Sequence, residues 1–325
     1  MQPFDSVLVI AFGGPAGPDD IRPFLANVLR GRRVAPERVE EVAHHYELFG
    51  GVSPITELTR RQADGLAERL SEQGFALPVF VGMRNWHPYL QDTMREMARR
   101  GLRRAIGVVM SAHRSYSSCM QYRENVRDAQ RALRDDGVAP PDVFYVDDWF
   151  AHAGFVETCA SHIATALARL PERLRPAARL VFTAHSIPMS MTERYPYREQ
   201  LLESAQLVAA RTRRTDWALV FQSRSGRPED PWLEPDVCDY LRTERKKGLE
   251  AVVLCPIGFV SDHIEVLYDL DHEAAAVCRE IGLPMVRAEA ANDDPVFLDM
   301  LADVVRKTWA RYEGTRPLSL AFPEP

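Results

Sequence analysis

Short runs of consecutive apolar residues recur along the chain, separated by longer stretches where apolar positions return every three or four residues. The first pattern suits strands buried on both faces, the second amphipathic helices. Strands are predicted over Ser6–Phe12, Val79–Met83, Ala105–Ser111 and Val143–Asp147, and again over Leu180–Ala184, Ala218–Gln222, Ala251–Pro256 and Met285–Ala288. Helical spacing is read over Pro54–Glu72, Tyr89–Arg100, Gln121–Arg134, Phe155–Leu170 and Pro295–Tyr312, the fourth stopped by Pro171. Strands alternating with helices predict parallel βα units. Four strands and then four more predict an α/β fold of two similar Rossmann-like halves, each a doubly wound parallel four-stranded sheet, facing across a cleft. The expected divisions are residues 1–149, residues 150–294, and a C-terminal helix with a short tail over 295–325. That helix is free to pack on either half.

The strand ends then become the places to look, because ligands of open α/β sheets bind in the crevice beyond them. Thr183-Ala184-His185-Ser186-Ile187-Pro188 follows one apolar run, and Gly258-Phe259-Val260-Ser261-Asp262-His263-Ile264-Glu265 follows another. Two imidazoles and two carboxylates delivered to one crevice suggest proton or metal chemistry. His185 suits that work, since an imidazole titrates near pH ~6.5 and can also ligate a metal; a turn histidine capping the next helix is the competing reading. Glu265, Asp269 and Glu273 are four residues apart and share one helical face. Like charges at that spacing oppose a helix by about 0.2–0.5 kcal/mol per pair. A solvated face tolerates this, but the intervening Ile264, Val266, Leu267 and Leu270 argue for partial burial, where carboxylates need cations or raised pKa values. A face that conducts metal ions or protons is the preferred reading.

Composition narrows the choice. A net charge of −6 and a pI near 5.9 give no electrostatic reason to expect nucleic acid. The N-terminus has no basic leader and no apolar run approaches a membrane span, so a cytoplasmic protein without stable membrane insertion is expected. Five dispersed cysteines without a C-x-x-C pair read as small core residues. Phe12-Gly13-Gly14-Pro15 lacks the dinucleotide fingerprint and no Walker lysine follows, so the glycine pair reads as room for a flat ligand near the backbone. Trp232, in a proline-bracketed loop, either lines that cleft or anchors the loop on the core.

Taken together, Phe12-Gly13-Gly14-Pro15, Gly50-Gly51-Val52-Ser53-Pro54, Thr183–Pro188, Gln222-Ser223, Pro231-Trp232-Leu233 with Pro235, and Gly258–Glu265 occur in the order found in a known family. From Val7 to about Trp309 the chain resembles the ferrochelatases, enzymes that insert iron into a porphyrin. The resemblance implies two facing Rossmann-like halves. It implies that His185 faces the porphyrin centre as base or metal donor and that Glu265 opposes it across the cleft. His263 is then the hydrogen-bonded neighbour of that carboxylate, and Asp269 and Glu273 lead metal inward. Phe12, Arg30, Ser53, Tyr122 and Trp232 are the implied porphyrin contacts, with Arg30 and the basic run to Arg33 meeting propionates. Ferrous iron is then a substrate and no cofactor is required. The tail has none of the cysteines that iron–sulfur-bearing relatives carry, so no cluster is expected.

Coproporphyrin III is the expected porphyrin and protoporphyrin IX the alternative. Coproporphyrin-using relatives often carry tyrosine where Phe12 stands, which removes an oxygen ligand from that position. A monomer is expected, with transient contact to neighbouring haem-pathway enzymes left open. The competing functions are a cobalt or nickel chelatase, a non-catalytic porphyrin or haem carrier, and a nucleotide-binding oxidoreductase.

Overall fold

The computed structural model describes residues 2–31, 34–225 and 229–314. Arg32 and Arg33 of the basic run, and the tail after Gly314, lie outside the described residues. The first half opens with β1 (Ser6–Ala11), followed by helices α1 (Ile21–Val28), α2 (Pro36–Glu47) and α3 (Ile55–Glu72). Then come β2 (Val79–Met83), α4 (Leu90–Arg99), β3 (Arg104–Val109), α5 (Gln121–Asp135) and β4 (Asp142–Tyr145). The second half runs α6 (Ala153–Ala168), β5 (Ala178–His185), α7 (Met189–Thr192), α8 (Tyr197–Arg211), β6 (Trp217–Gln222), α9 (Val237–Lys246) and β7 (Ala251–Cys255). It closes with α10 (Ile264–Val266), a π-helix over Leu267–Ala274, α11 (Ala275–Glu280) and β8 (Met285–Arg287). Helix α12 (Pro295–Tyr312) ends the described chain.

All strand pairs are parallel, and the two sheets have the orders β2-β1-β3-β4 and β6-β5-β7-β8. Every residue of β1 and β7 is buried, as expected of central strands covered by helices on both faces. In each sheet the first strand lies between the second and third, so the winding direction reverses there. That switch point opens a crevice at the carboxyl ends of β1 and β3 in one sheet, and of β5 and β7 in the other.

Helix α12 packs on α3 and β3 of the first half and on α6. Phe297 on α12 meets Trp149 and Phe155 ring to ring, within one core that includes strand residues of both sheets, such as Val9 and Phe182. The helix left free to join either half in the sequence reading therefore serves both. The acidic stretch read as one ordinary helix is instead three consecutive pieces, with the π-helix in the middle. Its i→i+5 hydrogen bonds widen the turn, a form that is rare and concentrated at functional sites.

Candidate active site

The switch points explain which residues meet. β5 and β7 are neighbours, so the loops leaving them emerge side by side. Gly258 lets the second loop run against the end of β5: its N–H donates to the Thr183 carbonyl at 3.1 Å, and a Cβ there would stand 2.6 Å from the Ala184 Cβ. That close approach delivers α10 and Glu265 to His185, the last residue of β5.

His185 Nδ1 and Glu265 Oε1 are 2.6 Å apart. The expectation of a carboxylate opposing His185 across the cleft is corrected: the two form a direct pair on one wall, because both hang from adjacent strands of the same sheet. Their side chains remain 34% and 30% exposed, so the pair is open on one side. Burial alone would raise the Glu265 carboxyl, but the His185 charge and hydrogen bond, with help from His263 and Ser223, outweigh it and hold the group well below the usual range. Glu265 is therefore a carboxylate, Nδ1 of His185 is its donor, and Nε2 is the nitrogen able to take a proton. The Tyr197 hydroxyl donates to the His185 carbonyl at 3.1 Å, tying the strand end to α8.

His263 bonds differently from the expectation. Its Nδ1 accepts the Glu265 backbone N–H at 3.1 Å, capping α10 rather than bonding to the carboxylate. Burial lowers its pKa, with Glu265 and Asp262 acting against that, so the ring is neutral and its proton sits on Nε2. His263 thus fixes where the helix starts, and through that where Glu265 stands.

The next carboxylate inward from the cleft mouth is Asp269, only 9% exposed. Burial first, then the Glu265 charge, push it up to about 7. The Ser223 hydroxyl lies between the two acids, 2.7 Å from Glu265 Oε1 and in hydrogen-bond contact with Asp269 Oδ2. One hydroxyl proton cannot serve two carboxylates, and a protonated Asp269 resolves the conflict. Ser223 adopts φ 61°, a left-handed conformation uncommon for serine. Glu273, by contrast, is exposed, at the outer end of the row, and burial together with Asp236 raises its carboxyl.

The first half supplies the facing wall. Phe12 follows β1 and meets Phe24 edge to face at 6.1 Å, while the Arg84 guanidinium stands 5.9 Å from both the Phe12 and Tyr122 rings. Tyr122 itself is buried, and that burial pushes its phenol up to about 12. Gly14 makes room for protein rather than for a flat ligand, since a Cβ there would lie 2.6 Å from the Ser53 Cβ. Ser53 is held by its N–H to the Pro15 carbonyl at 2.9 Å. Arg30 is exposed beyond α1 and bonds Asn27. Trp232 is half-buried beside Pro188, and its Nε1 is buried without a partner among the described residues.

Several participants were not assigned from the sequence. Ser223 was only a motif letter, and the left-handed backbone that aims it has no sequence signature in a serine. Burial, with the Glu265 charge adding to it, raises the phenol of Tyr46 on α2, which puts this first-half residue within electrostatic range of the pair. Gln62 of α3, wholly buried, donates from Nε2 toward the Val260 carbonyl at 3.0 Å and the Asn292 carbonyl at 2.7 Å, bracing the loop that precedes Glu265. A separate hollow of about 570 Å³ along β4, lined in part by Arg123, Arg127 and Tyr145, contains none of the expected site residues. Among the described residues no three histidine, cysteine, aspartate or glutamate side chains stand together as a ready metal cage.

This geometry can be set beside known proteins. The coproporphyrin III ferrochelatase of Streptomyces coelicolor is 47% identical over 319 residues, covering 94% of this chain and 85% of its own. A protein named ferrochelatase from Rhodopirellula baltica is 46% identical over 311 residues, covering 94% and 87%. Among solved structures, SirB from Bacillus subtilis with Fe3+ superposes with a TM-score of 0.56 at 10% identity, over 95% of this chain and 97% of that one. At that identity the likeness is one of fold. The sequence profile described as Ferrochelatase matches residues 5–309, and the chain belongs to the ferrochelatase family.

Proposed function

We propose that the protein inserts ferrous iron into a porphyrin, namely coproporphyrin III. The observation that carries this reading is the His185–Glu265 pair at the β5/β7 switch point, with the Asp269 and Glu273 carboxylates leading away from it. Insertion removes two pyrrole protons while a hydrated cation sheds its water. Glu265 orients His185 by accepting its Nδ1–H, and the imidazolium formed when Nε2 takes a pyrrole proton stays paired with that carboxylate. Asp269, poised near neutrality, and Glu273 offer oxygen donors to the incoming iron, which is a substrate here. Phe12 offers no oxygen to the metal, so donors come from the wall that carries His185. A carrier needs no such acid–base pair, which favours turnover over storage.

The coproporphyrin assignment draws support from relatives in Streptomyces coelicolor and Streptomyces griseus, named coproporphyrin III ferrochelatases at 47% and 46% identity. Four propionates need cations or water where protoporphyrin IX needs apolar walls, because an unpaired buried charge is costly. Arg30 and Arg84 provide positive charge on the first-half side. No helix among the described residues is long and apolar enough to cross a membrane. We place the protein in the cytoplasm, working as a monomer without nucleic acid, without an iron–sulfur cluster and with only transient pathway contacts. Anaerobic absorbance assays with ferrous iron decide the substrate. Higher kcat/KM with coproporphyrin III is expected, whereas a clear preference for protoporphyrin IX under matched detergent moves the protein to the other branch, and binding without insertion makes it a carrier.

A further inference from the structure

Asp262 stands at the head of the acid-bearing segment, yet neither the His185–Glu265 pair nor the carboxylate row uses it. Its side chain is only 14% exposed and belongs to a network behind the site. Oδ1 accepts from Arg287 Nη1 at 2.8 Å and from the Ala290 N–H at 3.2 Å, while Oδ2 accepts from Asn292 Nδ2 at 2.9 Å. The Asp262 N–H in turn donates to Asn292 Oδ1 at 2.8 Å. Arg287 is the last residue of β8, in register with Leu254 of β7, which places it beside the loop that leaves β7.

The same guanidinium also reaches the π-helix. Its Nε and Nη2 donate side by side to the two oxygens of Asp271, each at 2.8 Å. Asp271 lies in the π-helix between Asp269 and Glu273, so one half-buried planar cation grips the chain before Glu265 and after Asp269. A fork of fixed geometry sets the spacing of what it holds. Bonding i→i+5 spreads each turn over more residues than an α-helix uses, so relaxing to α-winding would rotate Asp271 off the fork and turn Asp269 and Glu273 relative to Glu265. Without Arg287, Asp262 keeps Ala290 and Asn292 as partners, whereas the Asp271 carboxylate is held by Arg287 alone among the described residues.

We propose that Arg287 is a positioning residue for the carboxylate row: by gripping Asp262 and Asp271 together it holds the wide winding that sets Asp269 and Glu273 for the uptake of a divalent cation. The cation is the iron of the proposed function, on which this inference rests. Arg287 itself touches neither metal nor porphyrin in this role.

The test uses the full chain with ferrous iron and coproporphyrin III. Charge alone predicts that removing a cation near the row lowers KM for iron; the grip predicts the opposite sign. Arg287→Gln raises KM for iron about tenfold, the worth of one charge-assisted hydrogen bond, with the porphyrin KM unchanged and kcat falling less. Arg287→Lys keeps the charge but cannot span both carboxylates, and its KM for iron stays raised. Asp271→Ala, at the more exposed end of the network, serves where loss of the buried cation prevents folding, and it raises KM for iron in the same way. The double variant Arg287→Gln/Asp271→Ala is no worse than Arg287→Gln alone, since one contact is broken either way. Hydrogen–deuterium exchange provides a second readout, with Asp271→Ala speeding exchange across residues 267–274 while α12 is unaffected. A lowered or unchanged KM for iron in Arg287→Gln, a wild-type KM in Arg287→Lys, an equal rise in the porphyrin KM, or unaltered exchange in the π-helix overturns the positioning role. Failure of the wild-type protein to insert iron refutes the proposed function instead, and the exchange measurement still decides whether Arg287 holds the winding.

Discussion

Replacing Asp269 with asparagine should make the protein more stable, and by an amount that depends on pH. Burial, then the negative charge of Glu265, lifts this carboxyl from its ordinary 3.8 to about 7. Between those values the folded protein holds a proton that the unfolded chain has released. The folded state is therefore favoured least where the group must be charged: its stability falls as pH rises through the window and is lowest above 7. The interval spans about three pH units at roughly 1.4 kcal/mol each, which sets a ceiling near 4 kcal/mol. Asparagine is neutral throughout, and its amide offers both a donor for the Ser223 oxygen, as the protonated carboxyl does, and an acceptor for the Gln222 amide, both of which contact Asp269. Urea unfolding in chelator-treated buffer at pH 4, 5, 6, 7 and 8 should give nearly coincident curves at the acid end. The variant should gain progressively toward pH 8. Glu265 contributes in the opposite sense, its stabilisation being lost as pH falls below its ordinary 4.5, and both proteins should share that limb. A stability difference independent of pH would show that Asp269 is not held protonated by its surroundings.

Three further substitutions probe the site. His185→Ala should abolish insertion while leaving porphyrin binding measurable by fluorescence quenching; near-normal turnover in the folded variant sinks its role as base or donor. Glu265→Gln keeps the shape but loses the charge that orients His185, so kcat should drop about 10²-fold or more, and a loss confined to KM for iron would reassign it to delivery. Gln62→Leu leaves the Asn292 carbonyl without its buried donor, while the Val260 carbonyl keeps the Asn292 N–H at 2.9 Å, at about 1–3 kcal/mol for the unsatisfied group, so a lower unfolding midpoint with reduced kcat is expected; a variant as stable as wild type means water replaces the amide.

The order of strands and helices was legible because buried parallel strands demand continuous apolar runs and their covering helices demand a 3.6-residue period. The positions of His185 and Glu265 were legible for a related reason, since a strand that must stop at the sheet edge hands its next polar residues to the crevice. The spacing of Glu265, Asp269 and Glu273 likewise survives in the structure, because residues four apart stay near one face in an α-turn or a wider one. What the chain order does not encode is distance between elements remote in sequence. Whether His185 and Glu265 face each other or touch depends on β5 and β7 being sheet neighbours and on Gly258 letting their ends close together. His263 looks the same in sequence whether it binds the carboxylate or caps the amide, and only the turn preceding α10 decides. Ser223, Tyr46 and Gln62 act on residues 42 to 230 positions away in sequence, and no local pattern predicts such pairs. The π-winding over Leu267–Ala274 arises only once the helix is packed into the second half, because isolated apolar periodicity does not distinguish i→i+4 from i→i+5.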